Sequence, residues 1–361
     1  MIIGIPKEIK NNEFRVGLTP SLVNGLCKQG HTVIVQSGAG AQIGFGNLSY
    51  QEAGAELSDS AKDIFARADM IVKVKEPQIH ECALLREDQI LFTYLHLAPD
   101  PEQTKALMDS GAICIAYETV TSAHGTLPLL APMSEVAGRM SIQAAATHLE
   151  RSRGGPGILM GGIPGVSPAK VLILGAGVVG RNALQIALGM GAQVSIMDRD
   201  LERLRQIDAL YGNRVRTVFS NAMSIEAAVK DTDVVIGAVL LPGGSAPKLL
   251  SKAMIQTMRP GSVVVDVAID QGGCFETSLP TTHAEPTYMV DGVIHYCVAN
   301  MPGAVPQTST MALMQATLPY VHLLANLGWT EACIQNEALS KGLTIYDGKL
   351  FHAGVAATFN L

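Results

Sequence analysis

Residues 170–198 read KVLILGAGVVGRNALQIALGMGAQVSIMD, and this stretch decides the fold. Val171 to Leu174 is an apolar run short enough to predict a buried strand. Gly175-Ala176-Gly177-Val178-Val179-Gly180 follows with the spacing G-x-G-x-x-G of a dinucleotide fingerprint. Val179, Ala183, Ile186, Ala187 and Met190 recur at helical spacing, and Gly191 is placed to stop that helix. Val194 to Met197 predicts a second strand that closes on Asp198. Gly175 permits the tight turn, Gly177 lets backbone approach a pyrophosphate, and Gly180 lets helix pack against strand. The helix N-terminus offers unbonded N–H groups and positive dipole to phosphate. A carboxylate ending the second strand accepts hydrogen bonds from ribose hydroxyls and repels a 2′-phosphate. A lone glycine fingerprint is weak. Here strand, turn, helix, second strand and acid fall in register, which predicts an NAD site, with Arg199 softening the bias against NADP.

Outward from this unit the pattern repeats. Upstream, strands are predicted at Ile2–Ile5, Thr32–Gln36, Met70–Val74, Ile90–Leu95 and Ala112–Tyr117. Between them lie a helix from Thr19-Pro20 to about Lys28 and helical segments near 49–53, 59–67 and 101–110. Downstream, strands are predicted at Arg214–Phe219, Val234–Ala238, Ser262–Val267 and Ile294–Val298, with helices over Ser224–Lys230 and within Lys248–Met258. Alternating strands and helices give an α/β fold whose mostly parallel sheets are covered on both faces. At 361 residues the chain exceeds what one core usually serves. Two doubly wound Rossmann-like domains are therefore expected, the nucleotide domain inserted between two parts of the other. The boundaries read as 1–128 for the first part of a substrate domain, 129–304 for the NAD-binding domain and 305–361 for the return segment. Ser134 reads as the N-cap of a helix running to about Glu150. Thr308 to Leu327 reads as a second long helix, bent or broken at Pro319. These two helices serve as hinges, with cofactor and substrate expected to meet between the domains.

In such sheets ligands bind beyond the carboxyl ends of the strands. Four residues stand there in the first part: Arg15 in the loop after the first strand, Lys75 after MIVKV, His96 after ILFTYL, and Glu118 after AICIAY. Arginine offers a bidentate fork, lysine a point charge, and with histidine they suit a small carboxylate. Each also has a plainer reading, as a solvated loop charge or a surface residue. Val239-Leu240 and the segment Val267 to Gly273 follow strands of the nucleotide domain, which puts Val267, Ile269 and Asp270 on the cofactor side. Asp270 is the carboxylate among them, and could instead only cap a turn before Gly272.

Composition narrows the class. Hydrophobic residues make up 48% and charged residues 16%, which fits a well-buried globule and not disorder. A net charge of −6 with no Lys/Arg cluster argues against a nucleic-acid partner. Cys27, Cys82, Cys114, Cys274, Cys297 and Cys333 show no CxxC and read as thiols of a reducing cytosol. The histidines share no metal spacing, so no metal site is expected. MIIGIPKEIK lacks a signal-peptide core, and polar residues such as Arg181, Asn182 and Gln185 interrupt the longest apolar stretches. A soluble cytoplasmic protein without a membrane partner is the expectation.

The blocks GIPKEIKNNEFRVGLTP, KVKEP, FTYLHLAP, LAPMSEVAGRMS, GGIPGV, LGAGVVG, DVAIDQGG and CVANMPGAVP together resemble, in order, those of alanine dehydrogenases and the related NAD-binding subunit of transhydrogenases. The likeness spans nearly the whole chain and is far more specific than the glycine fingerprint. It implies that Arg15 and Lys75 hold the substrate's carboxylate and carbonyl side, and that His96 and Asp270 are the acid/base pair. It implies that Ser134, Val178, Val179, Asp198, Arg203, Ser220, Val239, Leu240, Asn300 and Met301 line the cofactor, with Gly175, Gly177, Gly180, Val267 and Ile269. One departure is Gly17, where many relatives carry alanine after Arg-Val. The implied reaction is L-alanine, NAD and water giving pyruvate, ammonium and NADH, and the implied assembly is a homohexamer. Two other functions compete: the NAD(H)-binding part of a transhydrogenase, and a non-enzymatic NAD-responsive binding protein. The first needs a membrane partner and no small-acid pocket. The second would be expected to have lost one of Arg15, Lys75, His96 or Asp270.

Overall fold

The computed structural model describes residues 1–239 and 246–356. They form two compact units, one of Met1–Met133 with Val305–Leu361 and one of Ser134–Ala304.

The first unit opens with β1 (Ile2–Ile5), β2 (Thr32–Gln36), β3 (Glu56–Ser58), β4 (Met70–Val72), β5 (Ile90–Thr93) and β6 (Ile113–Ala116). The second holds β7 (Lys170–Leu174), β8 (Gln193–Asp198), β9 (Val215–Phe219), β10 (Val234–Gly237), β11 (Val263–Asp266), β12 (Thr287–Val290) and β13 (Val293–Tyr296). The return segment adds β14 (Leu343–Tyr346) and β15 (Lys349–Leu350) to the first sheet.

The two sheets repeat one plan. Their strands run in the orders β3-β2-β1-β4-β5-β6-β14-β15 and β9-β8-β7-β10-β11-β13-β12. β1 to β6 pair in parallel, as do β7 to β11 with β13. β14, β15 and β12 are antiparallel additions at the edges. In each sheet the order reverses beside the first strand, at β1/β4 and at β7/β10, which is where a doubly wound sheet opens a crevice for a ligand.

Burial explains the strands. β10 and β11 read Val-Val-Ile-Gly and Val-Val-Val-Asp and are buried throughout, as a parallel strand covered on both faces must be. Val171, Ile173, Val234, Ile236, Val263 and Val265 pack into one core on one face. Leu172, Leu174, Val235 and Val264 pack into another. Alternate residues thus serve opposite cores.

Two helical expectations need correction. Ser134 is not an N-cap: the helix is Ala131–His148, and Leu130 and Ala131 already donate to Leu127 O at 3.1 and 2.9 Å. Pro132 favours this earlier start, since a first-turn residue needs no N–H partner. The long return helix, Pro306–Gln335, passes through Pro319 and is interrupted at Gly328 instead, with φ 71° and ψ 167°. A positive φ suits glycine, whereas Pro319 costs a hydrogen bond and crowds the carbonyl four residues back without ending the helix.

Candidate active site

In the first unit β1, β4 and β5 lie side by side and deliver Arg15, Lys75 and His96 from their carboxyl ends. β4 and β5 are shorter than their apolar runs, ending at Val72 and Thr93. Lys75 and His96 therefore each stand three residues past a strand. Lys73 N–Phe92 O at 3.2 Å and Tyr94 N–Val74 O at 3.3 Å tie the two extensions together.

Arg15 lies in the charged loop after β1, yet it is only 2% exposed. Glu13 is its counterion: Nε donates to Oε1 at 2.7 Å and Nη2 to Oε2 at 2.5 Å. Nη1 lies 3.1 Å from Met133 Sδ. Burial works against the guanidinium's charge, and the hydrogen bonds and field of Glu13 more than restore it, so its pKa stays raised.

Lys75 is held through its backbone. Glu8 Oε1 accepts from Val74 N at 2.6 Å and Lys75 N at 3.3 Å, and Thr93 Oγ1 donates to Lys75 O at 3.0 Å. Glu8 is itself paired with buried Lys73 at 3.2 Å, which also meets Glu81 at 2.9 Å. Burial raises the pKa of Glu8, an effect Lys73 only partly offsets. Lys75 Nζ is 3.7 Å from Glu76 Oε2, and Lys10 Nζ bonds the other oxygen of Glu76. Burial pushes the Glu76 carboxyl up, but the electrostatic pull of Lys75 and His96 and the hydrogen bond from Lys10 outweigh it and hold the pKa below its ordinary value.

His96 is exposed, and its ring makes no hydrogen bond among the described residues. The ring lies parallel to that of Tyr94, centroids 5.8 Å apart and planes 4° apart. Tyr94 OH is anchored on Leu129 O at 2.5 Å. Glu118 accepts from the backbone N–H groups of Leu95 and His96. Arg15 also lies in the electrostatic field of Tyr94 and Glu8, so Arg15, Lys75 and His96 share one network with Glu8, Glu76 and Tyr94.

Gly17 does more than loosen its loop. A Cβ there would fall 2.4 Å from Val72 O, so its bareness sets how closely this loop lies on β4.

In the second unit the fingerprint turn joins β7 to the helix Val178–Gly189. Gly175 has φ 107°, and a Cβ on it would lie 2.5 Å from Ala238 O. A Cβ on Gly180 would lie 1.8 Å from Gly175 O, so helix and turn touch through bare backbone. At Gly177 a Cβ would meet nothing nearer, among the described residues, than Arg203 Nη1 at 3.9 Å. That glycine leaves space outside the protein's own packing, as a turn that cradles a pyrophosphate requires. The helix closes with Gly191 N on Leu188 O at 3.0 Å and Ala192 N on Ala187 O at 3.0 Å, the Schellman pattern, around Gly191 at φ 84°.

Asp198 ends β8 as expected. Its Oδ2 accepts from Ala176 N at 2.6 Å and its Oδ1 from Asp200 N at 2.8 Å, with Arg203 Nη1 3.7 Å away. Ser220 N donates to Asp198 O at 2.9 Å. Val239 follows β10, while Leu240 lies outside the described residues. Val267 N donates to Gly237 O at 3.0 Å, which binds the loop after β11 to β10, and Ile269 is 6% exposed. Asn300, at φ 61°, and buried Met301 follow β13. Ser134 is half-buried in the first turn of its helix. Helix N-terminus, open Gly177 and carboxylate at the strand end together fit a dinucleotide.

Asp270 lies in a short 3-10 turn, Ile269–Gln271, closed by Gly272 at φ 85°. It is exposed, and its carboxylate makes no hydrogen bond or ion pair among the described residues, so capping is not its role. Buried Asp266 organises the loop instead, accepting from Ala268 N at 3.0 Å and Cys274 N at 2.8 Å. Lys248 Nζ donates to Gly272 O at 2.6 Å and Gly273 O at 2.8 Å. Sequence reading missed Glu8, Glu13, Lys73 and Asp266. For the first two the signal was a dense run of charge directly after a buried strand.

Among the described residues no helix is long and apolar enough to cross a membrane, and no cluster of His, Cys, Asp and Glu could hold a metal.

Comparison with known proteins agrees with this architecture. The chain is 56% identical over 361 residues to an alanine dehydrogenase of Halomonas elongata, covering 100% of this chain and 97% of that protein. It is 54% identical over 356 residues to one of Mycobacterium tuberculosis, covering 99% and 96%. A solved L-alanine dehydrogenase superposes with TM-score 0.96 at 53% identity, covering 100% of this chain and 99% of that one. A transhydrogenase from Sinorhizobium meliloti superposes with TM-score 0.83 at 26% identity, covering 98% and 99%. The family models for the N-terminal and C-terminal domains of alanine dehydrogenase/PNT match residues 4–137 and 141–353. The chain therefore belongs to the alanine dehydrogenase/PNT family.

Proposed function

We propose that this protein is an NAD-dependent L-alanine dehydrogenase, interconverting L-alanine and water with pyruvate and ammonium. The observation that carries the reading is the convergence of Arg15, Lys75 and His96 on one network at the carboxyl ends of β1, β4 and β5, in a chain 53–56% identical over its length to proteins named alanine dehydrogenase. Those relatives favour it over a transhydrogenase subunit, whose solved likeness is 26% identical. Nothing favours a non-enzymatic role, since Arg15, Lys75, His96 and Asp270 are all present.

Bound NAD supplies the hydride acceptor for the substrate Cα. In this reading Gly175, Gly177, Gly180 and the start of helix Val178–Gly189 hold its pyrophosphate, and Asp198 and Arg203 its adenosine ribose. Ser134, Ser220, Val239, Leu240, Val267, Ile269, Asn300 and Met301 line the rest. The unit Ser134–Ala304 is then the nucleotide domain, and the unit containing Arg15 the substrate domain.

Arg15, fixed by Glu13, binds the substrate carboxylate through charge-assisted hydrogen bonds. Lys75 stabilises the oxygen that carries charge in the carbinolamine. Water adds to the iminopyruvate carbon, losing a proton to His96. Collapse of the carbinolamine expels ammonia as that proton is returned. Imidazole suits both transfers because it changes charge near neutral pH. Asp270 holds the attacking water or the departing amine. Holding the reacting groups in contact geometry can supply ~7–11 kcal/mol of the barrier. A homohexameric assembly and a cytoplasmic location belong to the same proposal, by family likeness.

Absorbance of NADH across a panel of L-amino acids tests it. Rapid reduction of NAD with L-alanine and poor rates with larger side chains are expected. No NADH from L-alanine would end the proposal.

A further inference from the structure

We propose that Glu118 is the positioning residue for His96, its carboxylate holding the Leu95–His96 backbone in the left-handed turn that presents the imidazole. This rests on the reading of His96 as an acid/base group.

His96 has φ 49°, a conformation that L side chains rarely adopt. The other non-glycine residues with positive φ among those described are Asn12, Asp88, Asp291, Asn300 and Asp347. All five are the short polar types that tolerate this region through local hydrogen bonds. His96 is the one ring-bearing residue among the six described, and its backbone is held from outside.

Glu118 does so. It stands in the 3-10 turn Tyr117–Thr119 after β6, beside β5, whose extension carries His96. Its Oε1 accepts from His96 N at 2.6 Å and Leu95 N at 3.1 Å, and its Oε2 lies 3.2 Å from Leu95 N. Hydrogen bonds to an ionised acceptor are about twice as strong as neutral ones. The flanks are pinned as well: Gln103 Nε2 donates to Leu95 O at 2.9 Å and Thr104 Oγ1 to Leu97 O at 3.0 Å. The imidazole makes no hydrogen bond of its own among the described residues, so backbone and Tyr94 ring set its direction. Glu8 serves Val74 and Lys75 in the same way from the opposite side. In each case a carboxylate from a neighbouring loop grips two successive N–H groups ahead of a functional side chain.

The test uses the full-length enzyme with Glu118→Ala, Glu118→Gln and His96→Ala, alone and combined. Glu118→Ala is expected to lower kcat by about 10²-fold with NADH affinity unchanged, the size of loss a misdirected catalytic group produces. Glu118→Gln is expected to fall between, because its amide oxygen can still accept from His96 N. In the His96→Ala background Glu118→Ala should cost almost nothing further, since the two act as a unit. Amide hydrogen exchange at Leu95 and His96 should speed up in Glu118→Ala. If that variant does not fold, the Gln variant carries the same comparisons. Equal losses in both backgrounds, or unaltered exchange at Leu95 and His96, would overturn the proposal. Exchange needs no turnover, so it judges the grip on His96 even if L-alanine proves not to be the substrate.

Discussion

Glu13 grips Arg15 side-on: Nε to Oε1 at 2.7 Å and Nη2 to Oε2 at 2.5 Å, with the residues 4% and 2% exposed. Removing one member of a buried pair strands the other charge, which typically costs about 3–5 kcal/mol. Glu13→Ala should therefore unfold at markedly lower denaturant and bind pyruvate more weakly, because the guanidinium loses its fixed direction. A weaker site is stabilised less by the same ligand concentration, so pyruvate should raise Tm less in the variant than in the wild type. Equal pyruvate-induced shifts would show that Glu13 does not organise Arg15 for a carboxylate.

His96→Ala is expected to lower kcat by a factor on the order of 10²–10⁴, the usual worth of a general acid/base. NADH affinity should persist, because the fingerprint turn lies elsewhere in the chain. Single-turnover kinetics with titrated NADH separate the two quantities. Near-normal turnover would remove His96 from the chemistry.

The glycines of the fingerprint should behave oppositely. Ala at Gly180 would place a Cβ 1.8 Å from Gly175 O, whereas at Gly177 the nearest atom of the described residues is Arg203 Nη1 at 3.9 Å. Gly180→Ala should then lose stability outright. Gly177→Ala, whose φ of −73° suits any residue, should keep Tm while losing NAD affinity to a methyl group in the phosphate's place. Thermal unfolding with and without NAD reads both. An undiminished NAD-induced Tm shift in Gly177→Ala would place the phosphate elsewhere.

Much of this was legible because local pattern and global fold agree. The run from Val171 to Asp198 carries its strands, turn, helix stop and acid in consecutive residues, and all appear where the spacing puts them. What failed had local signals pointing two ways. Ser134 looks like an N-cap, but Pro132 suits a first turn better. Pro319 looks like a break, but the helix continues through it, and the non-helical backbone falls at Gly328. Glu13 and Glu8 were hidden for another reason. Their roles come from partners such as Arg15, Val74 and Lys73, which only the folded sheet brings within reach, and a charged loop normally means solvent. His96 could be placed at a strand end from the sequence, but its left-handed backbone and the carboxylate beneath it could not.

In the proposed site Asp198 would join cofactor choice to turn geometry. Its Oδ2 accepts from Ala176 N inside the fingerprint at 2.6 Å, so Asp198→Ala should both free the turn and remove the ribose acceptor. Hydrogen bonds to charged groups are worth about 1.5–3 kcal/mol, which makes a weakening of NAD by about tenfold or more the expectation. The ratio of NADP to NAD activity should rise as the negative charge goes. A constant ratio would mean that the ribose is held by other residues.

His295 sets an acid limit on the second unit. It is fully buried in β13, with Nδ1 3.0 Å from Val293 O and Nε2 2.7 Å from Thr277 Oγ1. A carbonyl only accepts, so Nδ1 carries the proton, and the neutral ring takes the threonine hydroxyl's hydrogen at Nε2. Burial disfavours the imidazolium and lowers its pKa from the ordinary 6.5, although Asp266 and Asp291 pull the other way. The unfolded chain takes up the proton first as pH falls. The stability this group contributes is therefore whole above 6.5 and is lost as pH drops through the lower folded value. Urea midpoints at about pH 8 and about pH 5 should differ more in the wild type than in His295→Gln, which cannot titrate. The variant is expected to be less stable at the higher pH, having lost the stacked ring contact with Tyr288 at 5.1 Å. Identical pH dependence in the two proteins would assign the acid sensitivity to other groups.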